Sequence, residues 1–490
     1  MLWHRSPLLH LGRLRGTRRW TASRFALGLV ALIGFGLVVP VLAAARGGDA
    51  AASKPAAARG TRACDDSASR RVSQPTRAHL AAAGLRKLPI APNKRRVDLV
   101  APPFSDPTKI TNPLFPISKL RSAVLNGTVD GKPFRTETTL LPDTRIIEWS
   151  AGQCVKTLVS QYVAYLDGRI QEVALDFYAQ ADDGSVWYFG EDVFNYQDGV
   201  IADTGGTWLA GKEGPAAMIM PADPQGGDVN RPENIPGLVF EEVVVKEIGK
   251  TVKGPFGPVR GAMVGRELHD DGTFSDKVFA PGYGEFFSAH EGDVEALALA
   301  VPTDAVKGLL PAELKRLLRG ADDVFSAAAS KRWRRASATV EAMTAAWDAH
   351  RAGGVSSRLV APTSRALAVL ARAVEARDPG RARNAALDVA QATLDLQLRY
   401  RPPAEIDRAR FDLWTRQALV DATARDLSAV AGDVATLEWI RDRIARTLFS
   451  VAVTRIDTHL EELRTNVGDE DLAAASDTAA SLRKVLARAR

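Results

Sequence analysis

The sequence predicts a multi-domain α+β protein with an N-terminal membrane segment. Three observations lead to this prediction: an uncharged apolar run at 25–45, five Asp-Gly pairs between β-prone runs within 101–302, and helical spacing of Ala, Leu, Arg and Asp after Pro302. We therefore expect an antiparallel β-meander domain, built as a sandwich or a half-barrel, followed by an all-α helical bundle.

The first 45 residues combine a basic head with an apolar run. Residues 1–24 contain six arginines and no acidic residue, so the positive-inside rule keeps this head in the cytoplasm and places the rest of the chain outside. As a helix, residues 25–45 are long enough to cross about 30 Å of hydrocarbon. This predicts a transmembrane anchor. The alternative is a cleaved signal segment and a secreted protein, because Pro40 precedes the small residues 43–45.

Residues 46–100 are rich in Ala, Arg, Ser and Pro and have no apolar period. Such a composition is typical of disordered segments, so we expect a tether between membrane and first domain. The tether contains Cys64, and Cys154 lies in an apolar strand pattern. In an oxidising compartment a disulfide between them would fix the tether to the domain. A buried, unpaired Cys154 is the alternative.

The basic character of the chain comes from its N-terminal part. Residues 1–96 contain 18 lysines and arginines against 3 acidic residues, whereas 97–302 contain 16 against 30. A nucleic-acid-binding protein carries its positive charge on the folded face that meets phosphate. We therefore expect no nucleic-acid partner, and an N-terminal segment that contacts the membrane.

Region 101–302 contains repeated hairpin signals. The five pairs are Asp130-Gly131, Asp167-Gly168, Asp183-Gly184, Asp198-Gly199 and Asp271-Gly272. Asp-Gly suits the positive φ angles of two-residue hairpin turns. Because the runs between these turns alternate or are rich in aromatic and branched residues, they predict a meander that buries one face of its sheet.

Residues 303–490 have the composition and spacing of helices. Asp378-Pro379 and Pro402-Pro403 mark helix boundaries, because proline is tolerated in a first helical turn. We predict helices at about 330–351, 358–377, 380–400, 404–425, 427–465 and 469–489 from this spacing. Short connections make successive helices antiparallel, which predicts a bundle.

Several short motifs occur within 112–284. They are Asn112-Pro113-Leu114-Phe115-Pro116, the block 176–193 (DFYAQADDGSVWYFGEDV), Gly206-Thr207-Trp208, residues 218–224 (MIMPADP) and Ala280-Pro281-Gly282-Tyr283-Gly284. In these motifs the region resembles an uncharacterised family of bacterial exported or membrane-anchored β-rich proteins. The resemblance implies an exported β-rich domain. It implies no catalytic residue, because the family has no established chemistry.

Four carboxylates lie in the block 176–193. Asp176, Asp182, Glu191 and Asp192 surround one predicted hairpin, and hard cations such as Ca²⁺ take several carboxylate oxygens. These four residues are therefore the candidate metal ligands. The alternative is structural, with acidic side chains that close a turn or face solvent.

Aromatic residues of the same region form a second candidate site. Tyr178, Trp187, Tyr188 and Trp208 could line a pocket for a small ligand, since ligand pockets are largely apolar and aromatic. Core packing is the alternative, because alternate residues of any strand point inward.

No enzyme motif of high specificity occurs in the chain. The sequence lacks Gly-x-Ser-x-Gly, a Walker loop, His-Glu-x-x-His and Cys-x-x-Cys. It also lacks the Glu-x-x-His pair that di-iron bundles use. We therefore predict no catalytic residue and no cofactor. His269 and His290 leave a Ser-His-Asp triad possible, because triads are defined by geometry and not by order.

Three functions follow from these patterns. The first is a membrane-tethered, extracytoplasmic binding or structural module of the cell envelope, without catalysis and with an envelope protein as partner. The second is a carrier that binds a small ligand or a metal through the aromatic and acidic residues of block 176–193. The third is a hydrolase whose site the sequence does not reveal.

Overall fold

The computed structural model of the chain describes residues 68–488. The predicted head and membrane segment, 1–45, lie outside the described residues. Within residues 68–488, no helix combines the length and the apolarity needed to cross a membrane.

Antiparallel strands occupy the first part of the described chain. The strands are β1 (Arg70–Arg71), β2 (Val100–Ala101), β3 (Ser122–Val129), β4 (Lys132–Ser150), β5 (Gln153–Leu166), β6 (Arg169–Gln180), β7 (Val186–Gln197), β8 (Val200–Asp203), β9 (Trp208–Leu209), β10 (Ala217–Met220), β11 (Val229–Ile235), β12 (Val239–Gly254), β13 (Gly257–His269), β14 (Phe274–Ala280), β15 (Gly284–His290) and β16 (Asp293–Val301). Strands β1 and β2 pair with each other, and the other fourteen form one sheet.

The order in the large sheet is β10-β7-β6-β5-β4-β3-β16-β15-β14-β13-β12-β11, with β8 and β9 paired to β7. Because these strands share one hydrogen-bonded sheet, residues 68–488 do not form a sandwich of two separate sheets, one of the two forms predicted. The sheet also turns back on itself. Glu191 on β7 and Glu233 on β11 contact each other, although ten strand spacings of about 4.8 Å separate them along the sheet. We call this sheet the curled sheet.

Hairpin turns confirm the Asp-Gly prediction. Both residues have positive φ at Asp130-Gly131, Asp167-Gly168 and Asp198-Gly199, as a type I′ turn requires. At Asp183-Gly184 and Asp271-Gly272 only the glycine does, and the aspartate instead accepts a hydrogen bond from the backbone N–H two residues later. The local sequence is sufficient to specify these turns.

Helices follow the sheet. They are α2 (Ala312–Ala329), α3 (Trp333–Arg351), α4 (Ser357–Glu375), α5 (Pro379–Gln397), α6 (Pro403–Ala424), α7 (Leu427–Ile444), α8 (Ser450–Gly468) and α9 (Leu472–Arg488), while the short α1 (Arg77–Ala82) precedes the sheet. The single helix predicted at 427–465 is wrong, because α7 ends at Ile444 and α8 begins at Ser450. Arg443 and Arg446 at this break are paired with the sheet residues Glu137 and Asp143. These long-range contacts favour a break for which the sequence has no Gly or Pro signal.

Part of the predicted tether has secondary structure. Disorder over 46–100 is wrong for residues 68–100, which contain β1, α1, two 3₁₀ turns and β2. Arg96 is buried there and pairs with Asp98, and Asp98 accepts the backbone N–H of Arg231 in the sheet. These contacts attach residues 68–100 to the sheet. Residues 46–67, including Cys64, lie outside the described residues. Cys154 is disulfide-bonded, so the alternative of an unpaired Cys154 is wrong.

A buried ionic seam joins the curled sheet to the helices. Glu137 of β4 lies 2.6 Å from Arg135, 3.4 Å from Arg410 of α6, and accepts a hydrogen bond from Arg443 of α7. Asp395 and Asp407 complete the group, each within 3.0 Å of Arg410. Three carboxylates thus balance three guanidinium groups, all buried except Arg135, whose side chain is 19% exposed.

Aromatic contacts extend the same interface. Tyr165 of β5 stacks on Trp414 of α6 with ring centroids 5.7 Å apart. Trp439 of α7 donates its indole N–H to the hydroxyl of Tyr196 on β7 at 2.8 Å. The helices therefore cover the outer face of β4–β7 and leave the inner face to the interior of the curled sheet.

The substitution Glu137→Gln tests the seam. It removes the charge that faces Arg410 and Arg443, and breaking a buried ion pair typically costs about 3–5 kcal/mol. We expect urea unfolding to show a loss of that order. Asp143→Asn is the matched control, because its pair with Arg446 is exposed and such pairs contribute less than about 1 kcal/mol. Equal losses in both variants would contradict the assigned role of the seam.

Candidate functional site: an acidic interior

The interior of the curled sheet is lined by ionisable side chains. Six buried carboxyl groups converge there, those of Asp176, Glu191, Glu233, Glu241, Glu267 and Glu295. Three buried bases accompany them, namely Lys277, His269 and His290, whose ring lies 5.9 Å from that of His269. Burial of an unpaired charge is costly, so buried carboxyl groups become protonated or take a cation. The interior is therefore suited to bind positive charge.

These groups reach the interior because successive side chains of a strand point to opposite faces of the sheet. Thr136 of β4 faces inward, where its hydroxyl contacts Glu295, while the next residue, Glu137, faces the helices. On β14, Ser275 and Lys277 both face inward, and Asp276 between them is exposed. Each strand thus gives one face to the interior.

A β-bulge corrects this alternation on β7. Asp176 opposes Glu191, and Tyr178 opposes Tyr188, so β7 has one more residue than β6 between the two pairs. Gly190 lies in this bulge and has a φ of 119°. A Cβ atom at this position would lie 2.2 Å from the carbonyl oxygen of Trp208. Because of the extra residue, Tyr188 and Glu191 lie on the same inner face.

The interior contains a cavity of about 70 Å³. Three carboxyl groups line it, those of Asp176, Glu285 and Glu295. Four aromatic rings line it as well, those of Phe115, Tyr162, Tyr178 and Tyr283. A volume of this size holds a few water molecules or one small ligand.

Motif residues from distant parts of the chain build this cavity. Phe115 comes from the Asn-Pro-Leu-Phe-Pro motif, Tyr178 from block 176–193, and Tyr283 from Ala-Pro-Gly-Tyr-Gly. Asn112 ties the first of these segments down, since its side-chain amide donates to the carbonyl oxygens of Gly184 and Pro221, each at 3.0 Å. The motifs that carry the family resemblance therefore meet at one place.

Burial changes the acidity of the carboxyl groups at the cavity. Desolvation raises the pKa of Asp176 to about 7, although a hydrogen bond from the Tyr188 hydroxyl at 2.8 Å opposes the shift. Desolvation and the charge of Glu285 raise the pKa of Glu295 to about 8. Desolvation and the charges of Asp176 and Glu295 raise the pKa of the neighbouring Glu172 to about 8.

A second group of polar residues lies deeper in the sheet. Glu241, Glu267 and His269 each offer one ligand atom, and these atoms lie within 4.8 Å of one another. It is the one such group of three or more within residues 68–488. Lys277 connects this group to the cavity, because its ammonium lies 3.2 Å from Glu267 and 3.2 Å from Glu285.

Ser275, His269 and Glu241 lie in the order of a catalytic triad. His269 Nε2 is 2.6 Å from Ser275 Oγ, and His269 Nδ1 is 3.4 Å from Glu241 Oε1. Ser275 is 1% exposed, so a substrate has no access to its hydroxyl. The second distance is also longer than that of a typical N–H···O hydrogen bond. The arrangement therefore favours ligation or structure over nucleophilic catalysis.

The predicted metal ligands are not assembled into one site. Asp176 and Glu191 face the interior, where desolvation and the nearby Glu233 raise the pKa of Glu191 well above its usual value. Asp182 lies on an exposed turn and accepts hydrogen bonds from Ser105. Asp192 points outward, 2.7 Å from Arg145. The four-carboxylate site is therefore wrong, because consecutive strand residues such as Glu191 and Asp192 point to opposite faces.

Three of the four predicted aromatic residues belong to the interior. Tyr178 lines the cavity and stacks on Tyr188 at 4.9 Å, and Trp208 packs edge-on against Tyr188 at 5.3 Å. Trp187 points to the opposite face, where it packs against Phe104 and donates to Ser185. Tyr188 and Trp208 support the cavity wall from behind Tyr178.

Sequence reasoning missed most of the acidic interior. Glu241, Glu267, Lys277 and Glu295 were not predicted, and His269 was named only as a possible triad member. A signal was present, since charged or polar residues recur at every second position in Glu267–His269 and Ser275–Lys277. In an otherwise apolar sheet, this spacing places charge on one face.

Comparison with known proteins gives no assignment. No protein-family model matches the chain, and no curated protein matches it. The resemblance to exported β-rich proteins stays an expectation from the motifs.

The raised pKa values of Glu172, Asp176 and Glu295 predict how stability depends on pH. Between about pH 4 and pH 8, each group stays protonated in the folded protein but is deprotonated in the unfolded chain. The folded state therefore binds more protons in this window, and the free energy of unfolding falls as pH rises through it. Thermal melting should therefore give a higher Tm at pH 5.5 than at pH 8.

Two variants control this prediction. Glu295→Gln should reduce the difference in Tm between the two pH values, because the glutamine cannot titrate. Asp323→Asn, at an exposed helical position, should leave it unchanged. A Tm that rises from pH 5.5 to pH 8 would contradict the proposed protonation of the interior.

Proposed function

We propose that this protein is a membrane-tethered envelope protein that binds a small organic cation inside its curled sheet. The observation that carries the proposal is the convergence of three carboxyl groups and four aromatic rings on one cavity of about 70 Å³. The proposal develops the carrier hypothesis, which was based on block 176–193, and uses Asp176 and Tyr178 of that block.

The charge of the cavity favours a cation over an anion or a neutral ligand. Asp176, Glu285 and Glu295 are carboxyl groups, and the one ammonium that contacts them in the described residues is that of Lys277, at Glu285. A cation that enters next to Asp176 and Glu295 would replace protons that these groups hold at neutral pH. Binding should therefore strengthen as pH rises from about 6 to about 9, across the raised pKa values.

The aromatic rings favour an organic ammonium over a bare metal ion. Rings attract a cation through their negative faces, and this attraction is stronger in a desolvated site. Most of the remaining wall is apolar, with Pro116, Ile117 and Leu120 among its residues, and Thr138 and Ser160 add two hydroxyl groups. Such a wall suits the alkyl part of a ligand. The small volume limits the ligand to a few heavy atoms.

Binding of ethylammonium tests this proposal. Calorimetric titration of the full chain should show one binding site for ethylammonium and none for ethanol or acetate, which are similar in size but uncharged or negative. Asp176→Asn and Glu295→Gln should each weaken binding at least tenfold, about 1.4 kcal/mol, because each removes a carboxylate from the cavity.

Asp192→Asn is the matched control for Asp176→Asn. It removes a carboxylate from the adjacent strand but on the outer face, beside Arg145, and should leave binding unchanged. Equal binding of ethanol and ethylammonium would refute the proposal, as would equal losses in the Asp176 and Asp192 variants. Native mass spectrometry of protein purified without added amines would show whether a ligand is retained.

The tether is the second part of the proposal. The uncharged run 25–45 behind six arginines supports an anchor that leaves residues 46–490 outside the cytoplasm. A partner protein in the envelope stays a prediction from the sequence.

Alkaline carbonate extraction tests the anchor. The full chain should stay with the membrane pellet, because an apolar helix that spans the bilayer resists extraction, and its intact mass should include residues 1–45. A variant without residues 1–45 should appear in the soluble fraction. A mature mass that begins near residue 46 would instead identify a cleaved signal segment and contradict the anchor.

A further inference from the structure

Neighbouring strands bring Glu241, Glu267 and His269 together. Glu241 on β12 is the direct cross-strand partner of His269 on β13, and Glu267 lies two residues before His269, on the same face. Ser275 on β14 is the partner of Glu267. Directly opposed residues have Cβ atoms about 5 Å apart, so the ladder itself holds these four side chains side by side.

The ligand atoms are close to the spacing that an ion requires. His269 Nδ1 lies 3.4 Å from Glu241 Oε1, and one ligand atom from each of the three residues lies within 4.8 Å of the others. Ligand atoms bound at about 2.0–2.2 Å from a metal are roughly 3–3.5 Å apart.

The histidine is poised as a ligand. His269 Nε2 contacts Ser275 Oγ at 2.6 Å, whereas the buried Nδ1 faces Glu241 Oε1 at 3.4 Å. If Nε2 carries the proton and donates it to Ser275, the lone pair of Nδ1 points into the group. Histidines that bind metals commonly donate their other N–H in this way, which fixes the ring.

Two carboxyl groups face the imidazole in this part of the interior. Glu241 and Glu267 both lie within 3.8 Å of His269, and the ammonium of Lys277 lies 3.2 Å from Glu267. A divalent ion bound here would displace the protons that these groups hold.

We propose that Glu241, Glu267 and His269 bind one divalent transition-metal ion, with Zn²⁺ or Mn²⁺ as the fitting class. One imidazole nitrogen with two carboxylates suits such ions, whereas Ca²⁺ takes six to eight oxygen ligands. His269 ends β13, and the exposed Asp271 lies in the turn that follows it. This site is distinct from the cavity with Asp176 and Glu295, and does not rest on the binding of an organic cation.

Zinc titration of the full chain tests this site. After removal of metals by a chelator, calorimetry and native mass spectrometry should show one Zn²⁺ per chain, and Zn²⁺ should raise the Tm of the wild type. Glu267→Gln and His269→Gln should each weaken Zn²⁺ binding at least tenfold. Asp276→Asn, on β14 but exposed on the outer face, should bind as the wild type does.

Ser275→Ala provides a test if the ligand variants do not fold. It keeps all three ligands and removes the partner of Nε2, so we expect about 10- to 100-fold weaker binding. Wild-type protein that is folded but binds no Zn²⁺ or Mn²⁺ at 100-fold molar excess would overturn the proposal. Labelling of Ser275 by a fluorophosphonate, unaffected by Zn²⁺, would also overturn it and identify a triad instead.

The cavity and the metal site are separable in these experiments. Asp176→Asn should abolish ethylammonium binding and leave Zn²⁺ binding unchanged, whereas His269→Gln should do the reverse. Loss of both ligands in both variants would show a general unfolding of the interior and would refute two independent sites.

Discussion

The alternation of side chains along the strands is the constraint on which the rest of this structure depends. On β4, Thr136 faces the interior and contacts Glu295, whereas the adjacent Glu137 faces the helices and pairs with Arg443. Two polar systems are thereby separated by the thickness of a single sheet. The bulge at Gly190 shows how strict this constraint is, because one extra residue is what places Glu191 on the inner face with Tyr188.

The two polar systems, the ionic seam and the interior of the curled sheet, differ in charge balance. We therefore assign a structural role to the seam and a binding role to the interior. In the seam, Glu137, Asp395 and Asp407 match Arg135, Arg410 and Arg443. A balanced buried network can hold two layers together without any ligand, although it is not a large source of stability. In the interior, carboxyl groups outnumber Lys277 and His269. Protons or bound cations must supply the missing positive charge.

The proposed sites use this unbalanced interior in two ways. At the cavity, aromatic rings and raised pKa values favour an organic cation that replaces protons. Deeper in the sheet, an imidazole nitrogen joins two carboxylates and favours a transition metal. Lys277 lies between the two and contacts one carboxylate of each. Helices α4 and α7 pack on the outer face of β3, β4, β6 and β16, opposite to the interior.

The sequence by itself determined the features that depend on local chemistry. Asp-Gly pairs specified the hairpins, because few other residues adopt positive φ at both turn positions, and proline and spacing specified most helices. Tertiary structure decided the rest. Glu191 contacts Glu233 only because the sheet turns back on itself. Helix α7 ends at Ile444, where nearby arginines pair with the sheet. Residues 68–100 are ordered by contacts such as that of Asp98 with Arg231. Contacts between residues far apart in the chain have no local signature. The alternating charged residues of β13 and β14 indicate which side chains share a face, but not that these faces enclose an acidic interior.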